Sequence, residues 1–217
     1  MASDERGDGP IYDVAVVGAG PAGAATAIHF ARAGQRVVVV DRVSFPRDKP
    51  CAEYLSPAAE PLLRELGVLD EIEAGHPARL RGFRIFAPNG AMFQGDFANT
   101  RDASGASYFE TGLAVPRLRL DGLLVQAARA SGADVREGWR LAQIAYAPDG
   151  AHAGVWTLTS SGAHGAGGAH TAVIRARLLV AADGLHSTVA RRLGLHSTGP
   201  LRKIALVAHM RGITGLG

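Results

Sequence analysis

Residues 18–23 read Gly18-Ala19-Gly20-Pro21-Ala22-Gly23, and no other stretch constrains the fold as much. The run matches G-x-G-x-x-G, and its flanks are the ones that pattern needs. Before it stands IYDVAVV (11–17), a short apolar run of strand character; after it comes ATAIHFARAG, with helical apolar spacing and Gly34 as the expected C-cap. RVVVVD (36–41) then reads as a second strand, β-branched throughout, as expected for a strand buried on both faces of a parallel sheet. The first 41 residues are therefore a strand–helix–strand unit. Its glycines let the backbone turn tightly and approach a pyrophosphate, whose charge is favoured at a helix N-terminus. Asp41 closes the second strand, where a carboxylate accepts hydrogen bonds from an adenosine ribose and repels a 2′-phosphate; Arg42 follows it. The pattern serves NAD and FAD alike, so the dinucleotide stays open at this point.

Farther along, SPAAEPLLRELGVLDEIEAG (56–75) predicts one helix, with Ser56 as N-cap and Pro57 near N1. RGFRIFAPNGAMFQGDF (81–97) carries Asn89-Gly90 between two strand-like runs, a hairpin signal that interrupts the α/β pattern. LDGLLVQAARASG predicts an amphipathic helix ending near Gly132, and ADVREGWRLAQIAYA predicts a following strand. VWTLTS is a further strand, followed by the Gly/His-rich SGAHGAGGAH. ARLLVAADGLHSTVARRLGL repeats the strand–turn–helix format, and KIALVAHMRGI (203–213) predicts a last strand.

GAGPAGAATA, VVVVDR, VPRLRLD and LLVAADGLHSTVARRLGL, in this order, resemble the FAD-dependent group that contains aromatic hydroxylases, flavin halogenases and geranylgeranyl reductases. FPRDKPCAEYLSPAAEPLLRELGV is most similar to the reductase and halogenase side. The resemblance runs from about Tyr12 to Leu195. It implies an α/β fold: a Rossmann-like FAD-binding βαβ unit with an inserted antiparallel hairpin region. It also implies that Gly18, Gly20, Pro21, Ala22 and Gly23 hold the ADP part of FAD, with Asp41 at the ribose and Arg42 among the cofactor-binding residues. Arg117 would approach the pyrophosphate and ribityl region, Asp183 would bond ribityl hydroxyls, Gly184 would permit close backbone approach, and Leu141 would touch adenine through its main chain. The Cys51-Ala52 peptide would pack near the flavin ring.

This chain departs from the group's pattern in three places. It has Cys51-Ala52 where the group usually has Cys-Gly, and Val189-Ala190 where many hydroxylases have Val-Arg. A third motif of the Gly-Asp-Ala-Ala type does not occur. The expected reading is the N-terminal portion of a longer enzyme, with the C-terminal part of the family fold missing. The expected organisation is a flexible leader (1–10), the FAD-binding domain in two parts (11–75 and 116–195), an inserted antiparallel segment of the substrate domain (76–115), and the start of a truncated substrate domain (196–217).

The resemblance implies an FAD-dependent oxidoreductase, a reductase or monooxygenase acting on an isoprenoid, aromatic or polyketide-like small molecule with NAD(P)H as reductant. A halogenase, a non-catalytic nucleotide-binding module and an NAD-binding dehydrogenase domain are the rivals. Other classes are disfavoured by composition. With 47% apolar and 20% charged residues the chain is an ordinary globular one, not a disordered one. A single cysteine, Cys51, forms no internal disulfide, and with no secretory signal or membrane-length apolar run a cytoplasmic location is expected. The net charge of +3 comes from scattered arginines without a basic, aromatic-interleaved stripe, so nucleic acid is not an expected partner.

Cys51 itself has Lys49 two residues away as a candidate cation but no resolving thiol, which disfavours redox catalysis and leaves it a compact lining residue. His164 and His170 lack metal-ligating partners, and no metal site is expected. Ser187, in LHSTV rather than G-x-S-x-G, is read as a helix N-cap.

Overall fold

The computed structural model describes residues 9–97, 111–149, 152–161, 172–197, 199, 205–210, 212 and 214. Its centre is the predicted unit: β1 (Tyr12–Val17), α1 (Pro21–Arg32) and β2 (Val37–Val40). Both strands are apolar on both faces because both faces are covered. Val14, Val16, Val37 and Val39 pack with Ala24, Ala27 and Ile28 of α1. From α4 (Arg117–Ala130), Leu120, Leu124, Val125 and Ala128 join the same cluster. Ala15, Val17, Val38 and Val40 point the other way, towards Trp139, Leu158, Ile174 and Val189.

The sheet grows outward from β1 in both directions. β2 lies on one side, followed by β8 (Asp134–Arg136); on the other lie β11 (Val173–Ala181), β10 (His152–Ser160) and β9 (Leu141–Asp149). β8, β2, β1 and β11 are parallel, and β10 and β9 return antiparallel. The chain thus winds from β1 to β2 on one side, while the neighbour on the other side arrives only with β11, the last strand among the described residues. This reversal opens a crevice beyond the carboxyl ends of β1 and β11, where open α/β sheets bind ligands.

Two smaller antiparallel units stand apart. β3 (Tyr54–Leu55), β7 (Gly112–Ala114) and β4 (Ala78–Leu80) form one, and β5 (Gly82–Phe86) with β6 (Met92–Asp96) forms the hairpin. The hairpin closes through Pro88-Asn89-Gly90: Ala87 N donates to Ala91 O and Gly90 N to Ala87 O, with Gly90 at φ +83°. That is a three-residue loop with its glycine in the left-handed position, not a two-residue Asn-Gly turn.

Four local expectations are corrected. The helix expected over 56–75 is two, α2 (Ala59–Leu66) and α3 (Leu69–Glu73), because Gly67 at φ +79° ends the first. Arg32 seals that end by donating to the carbonyls of Glu65 and Leu66. Ser56 makes no side-chain cap; Ala58 occupies the N-cap position. The strand expected through 133–147 is β8 and β9 on opposite edges of the sheet, separated by Glu137-Gly138-Trp139-Arg140. Residues 205–210 form no strand, since a strand needs a ladder partner and none pairs with them among the described residues; Leu206 is 95% exposed. His164 and His170 lie outside the described residues. α5 (Thr188–Arg192) is capped by Ser187 as expected, its Oγ accepting from Ala190 N at 2.9 Å.

Candidate functional site

A cavity of about 480 Å³ opens at the carboxyl ends of β1, β2 and β11, lined by the turns that leave those strands and by residues 139–141. The first turn is built by glycine. Gly18, at φ +100°, places its missing side chain against the carbonyl of Ala182, and a Cβ on Gly23 would overlap the Gly18 carbonyl oxygen. β1, α1 and β11 approach one another closely only because both Cβ atoms are absent. α1 begins at Pro21 with no side-chain cap and no acidic residue in its first turn, so its N-terminal amides are left for another acceptor.

Asp41 lines the cavity beside the glycine turn. Its Oδ2 accepts from Ala19 N at 2.8 Å and its Oδ1 from Val43 N at 3.1 Å. Two backbone amides thus fix the carboxylate while leaving acceptor capacity on both oxygens. Trp139 N donates to the Asp41 carbonyl at 2.8 Å, locking the exit of β8 to that of β2 and bringing Arg140 and Leu141 into the wall.

Two arginines stand by the same turn, Arg47 in the cavity wall and Arg117 beside Gly20. Arg117 is the first residue of α4, and its Nε and Nη2 donate to Asp121 Oδ1 and Oδ2 at 2.7 and 2.8 Å. These bonds to Asp121, set against partial burial, push the Arg117 guanidinium up from its ordinary value, with Cys51 acting in the same direction. A Cβ on Gly20 would lie 3.6 Å from Arg47 Nη2 and 3.9 Å from Arg117 Nη2, so both guanidiniums stand over that glycine at the mouth of α1.

Asp183 leaves β11 into a turn where Gly184 adopts φ +87°, with Lys49 Nζ 3.4 Å from where a Cβ would stand. The Asp183 carboxylate lines the cavity and holds its own turn together. Its Oδ1 accepts from Ser187 Oγ at 2.6 Å, and its Oδ2 accepts from Thr188 N and Val189 N at 2.5 and 3.3 Å.

Of the residues singled out from the sequence, Gly18, Gly20, Asp41, Arg42, Leu141 and Asp183 line the cavity. Gly23 is buried beneath the first turn, Pro21 and the exposed Ala22 open α1, and Arg117 and Gly184 adjoin the rim. Cys51 is half-buried and Ala52 exposed; neither is in the cavity wall. Sequence reading missed Arg47, Trp139, Arg140 and Thr188 in the wall, and Asp121 behind it. Asp121 carried a usable signal, since it follows Arg117 at i,i+4 on a predicted helix start. The others are brought in by loop paths that no periodicity announces.

The set is complementary to a dinucleotide. A fixed carboxylate suits a ribose diol, and an uncapped helix start beneath two guanidiniums suits a diphosphate. The glycine turn leaves the backbone open to close approach.

The family described as FAD binding domain matches residues 11–211. Conditioned medium factor receptor 1 of Dictyostelium discoideum is 36% identical over 196 residues, 89% of this chain and 37% of that protein. Menaquinone reductase of Mycobacterium tuberculosis is 36% identical over 182 residues, 84% of this chain and 40% of that protein. Among solved structures, the ternary complex of aklavinone-11 hydroxylase with FAD and aklavinone aligns with a TM-score of 0.65 at 30% identity, over 84% of this chain and 35% of that one. The chain spans about two fifths of the length of these curated relatives.

Proposed function

The chain belongs to the FAD binding domain family, and from that premise we propose that it holds FAD with its diphosphate at Gly20 and the start of α1 and its adenosine ribose at Asp41. The observation that carries this reading is the gathering, at one glycine turn on the cavity, of a carboxylate fixed by two amides and two guanidiniums. Leu141, Arg42 and Arg140 would flank the adenosine, while Lys49, Asp183 and Gly184 would border the ribityl side. Cys51 and Ala52 would lie towards the ring. Bound FAD supplies the two-electron chemistry; the residues named here bind it, orient it and limit water around it.

The activity proposed for the protein is flavin-dependent reduction or oxygenation of an isoprenoid, aromatic or polyketide-like molecule, with NAD(P)H as reductant and a cytoplasmic location. The naming of one relative as a menaquinone reductase and another as an aklavinone hydroxylase supports that range. No helix among the described residues is long and apolar enough to cross a membrane.

Titration with FAD, followed by quenching of flavin fluorescence, tests the reading. Saturable binding is expected, with riboflavin, which lacks both diphosphate and adenosine, binding at least tenfold more weakly, since a charge-assisted contact is worth about 1.5–3 kcal/mol. A protein that neither quenches nor retains FAD overturns it.

A further inference from the structure

Glu53 is one of two non-glycine residues with a positive φ among the described residues, at +56°. That backbone favours glycine, and a residue with a Cβ keeps it only where its surroundings hold it there. Here both the main chain and the side chain are held. The Glu53 carbonyl accepts from Val115 N at 2.9 Å, and its Oε1 accepts from Arg117 N at 3.4 Å, at the start of α4. The residue stands where the loop that gives Arg47, Asp48, Lys49 and Pro50 to the cavity wall passes into β3. Its side chain is only 14% exposed.

The second carboxylate oxygen meets a residue 156 positions away, His209, whose Nε2 lies 2.9 Å from Glu53 Oε2. Among the described residues this is the only hydrogen bond that ties residues 205–210 to the rest of the chain, and His209 is the only basic side chain on Glu53. The imidazole is itself exposed. Two carboxylates act on it, Glu53 by contact and Asp48 by its charge, and its own stretch, Ala205-Leu206-Val207-Ala208-His209-Met210, has no other charged group. The hydrogen bond to Glu53 and the charge of that carboxylate hold the imidazole above its ordinary range, with Asp48 acting in the same direction.

We propose that Glu53 is a positioning residue of the cofactor cavity and that protonated His209 fastens it, so that dinucleotide affinity falls when His209 loses its proton. This rests on the flavin reading and adds a control to that same site. Neither residue is in the cavity wall; both act through the loop and through α4. Two effects share one sign. An imidazolium cancels a carboxylate charge beside Arg117, where that charge opposes an incoming diphosphate. It also restrains the loop carrying Asp48, Lys49 and Pro50, whose ordering otherwise weakens binding. Because the imidazole is held above its ordinary value of about 6.5, the pair is complete below that pH and is lost as pH rises through the raised value.

The test combines FAD titration between about pH 6 and pH 9 with the proton NMR titration of His209. Wild-type protein is compared with Glu53→Gln, Glu53→Gly, His209→Gln and His209→Lys variants, each checked for folding by circular dichroism. Wild-type FAD affinity is expected to fall about twofold to fivefold across the range, the factor that an exposed ion pair is worth. His209→Gln is expected to show the weaker affinity at every pH, and His209→Lys the stronger one throughout, since lysine keeps its charge there. Glu53→Gln is expected to flatten the profile and to return His209 to its ordinary titration. Glu53→Gly relieves the left-handed backbone, so it is expected to melt no lower than Glu53→Gln while losing the same pH response. Coupling is reciprocal, so saturating FAD is expected to move the His209 titration to higher pH by the same factor. Wild-type affinity that stays flat from pH 6 to 9, or a decline that persists in His209→Gln, overturns the proposal and leaves the flavin reading standing. A His209 titration unmoved by Glu53→Gln does the same. Wild-type protein that binds no FAD at any pH instead overturns the flavin reading, and this control with it.

Discussion

β2 and the β5–β6 hairpin are both apolar runs in the sequence, and the structure treats them in opposite ways. Val37–Val40 is buried along its whole length, between helices on one face and Trp139, Leu158 and Val189 on the other. In the hairpin, Phe86 is 70% and Phe93 60% exposed. Register puts Phe83, Ile85 and Phe93 on one face, where Phe83 is 5.9 Å from Phe93 and 6.2 Å from Phe97, and Phe97 stacks on Tyr54 at 5.9 Å. The hairpin's aromatics therefore touch chiefly one another. Apolar patterning specified strands in both places, but burial followed from whether other elements of this chain reach both faces.

Matched substitutions break or sharpen this contrast, and the largest effect belongs to the sheet. Val39→Ser removes two methyl groups and adds a hydroxyl at a site 1% exposed, between Val16 and Val135. Lost transfer energy, a residual cavity and an unpaired hydroxyl together are expected to destabilise the fold by about 3 kcal/mol. Urea denaturation checks this as a lowered midpoint at unchanged slope. A loss under about 1 kcal/mol would mean that the two regions are less different than their burial says.

Between the extremes lies the second turn. Asp183 collects the Ser187 hydroxyl and the amides of Thr188 and Val189, so it holds α5 to the end of β11. Asp183→Ala leaves those donors without their partner and is expected to cost about 1–2 kcal/mol, with Asp183→Asn retaining part of it through one carbonyl oxygen. Thermal melting of both variants, with and without FAD, separates this capping role from a contact to the flavin. Loss of FAD affinity without a fall in melting temperature would make Asp183 a ligand contact first and a cap second.

The same contrast explains which elements are legible in the sequence. The β1–α1–β2 unit is legible because three independent signals agree there: the continuous β-branched apolar runs, the glycine spacing, and Asp41 at a strand end. Ser187 as a cap is legible for the same kind of reason, a local rule with a local partner. What escapes depends on tertiary position. Nothing in residues 133–147 says that Asp134 and Leu141 belong to opposite edges of one sheet, since each stretch is equally strand-like and the choice is made by β2 and β10. Arg47 reads as an ordinary loop arginine until α4 brings Asp121 beneath it. Over 56–75 the apolar spacing continues past Gly67, so periodicity alone predicts one helix; the left-handed turn at that glycine is visible only in the backbone.

The smallest expected effect closes the comparison from the other side. Phe93→Ser deletes an aromatic ring from the hairpin, a larger change in apolar area than Val39→Ser makes. Yet Phe93 meets chiefly its strand neighbours and Phe83, and solvent already covers most of it. Surface substitutions of this kind change stability by about 0.5 kcal/mol or less, so its urea midpoint should match that of the unsubstituted protein. The ring is the larger hydrophobic group, and an order of effects with Val39→Ser first and Phe93→Ser last would follow from coverage alone. If Phe93→Ser instead costs as much as Val39→Ser, the ladder from Phe93 through Phe83 and Phe97 to Tyr54 transmits stability into the loop beside Cys51. The hairpin would then have to be counted with the core rather than against it.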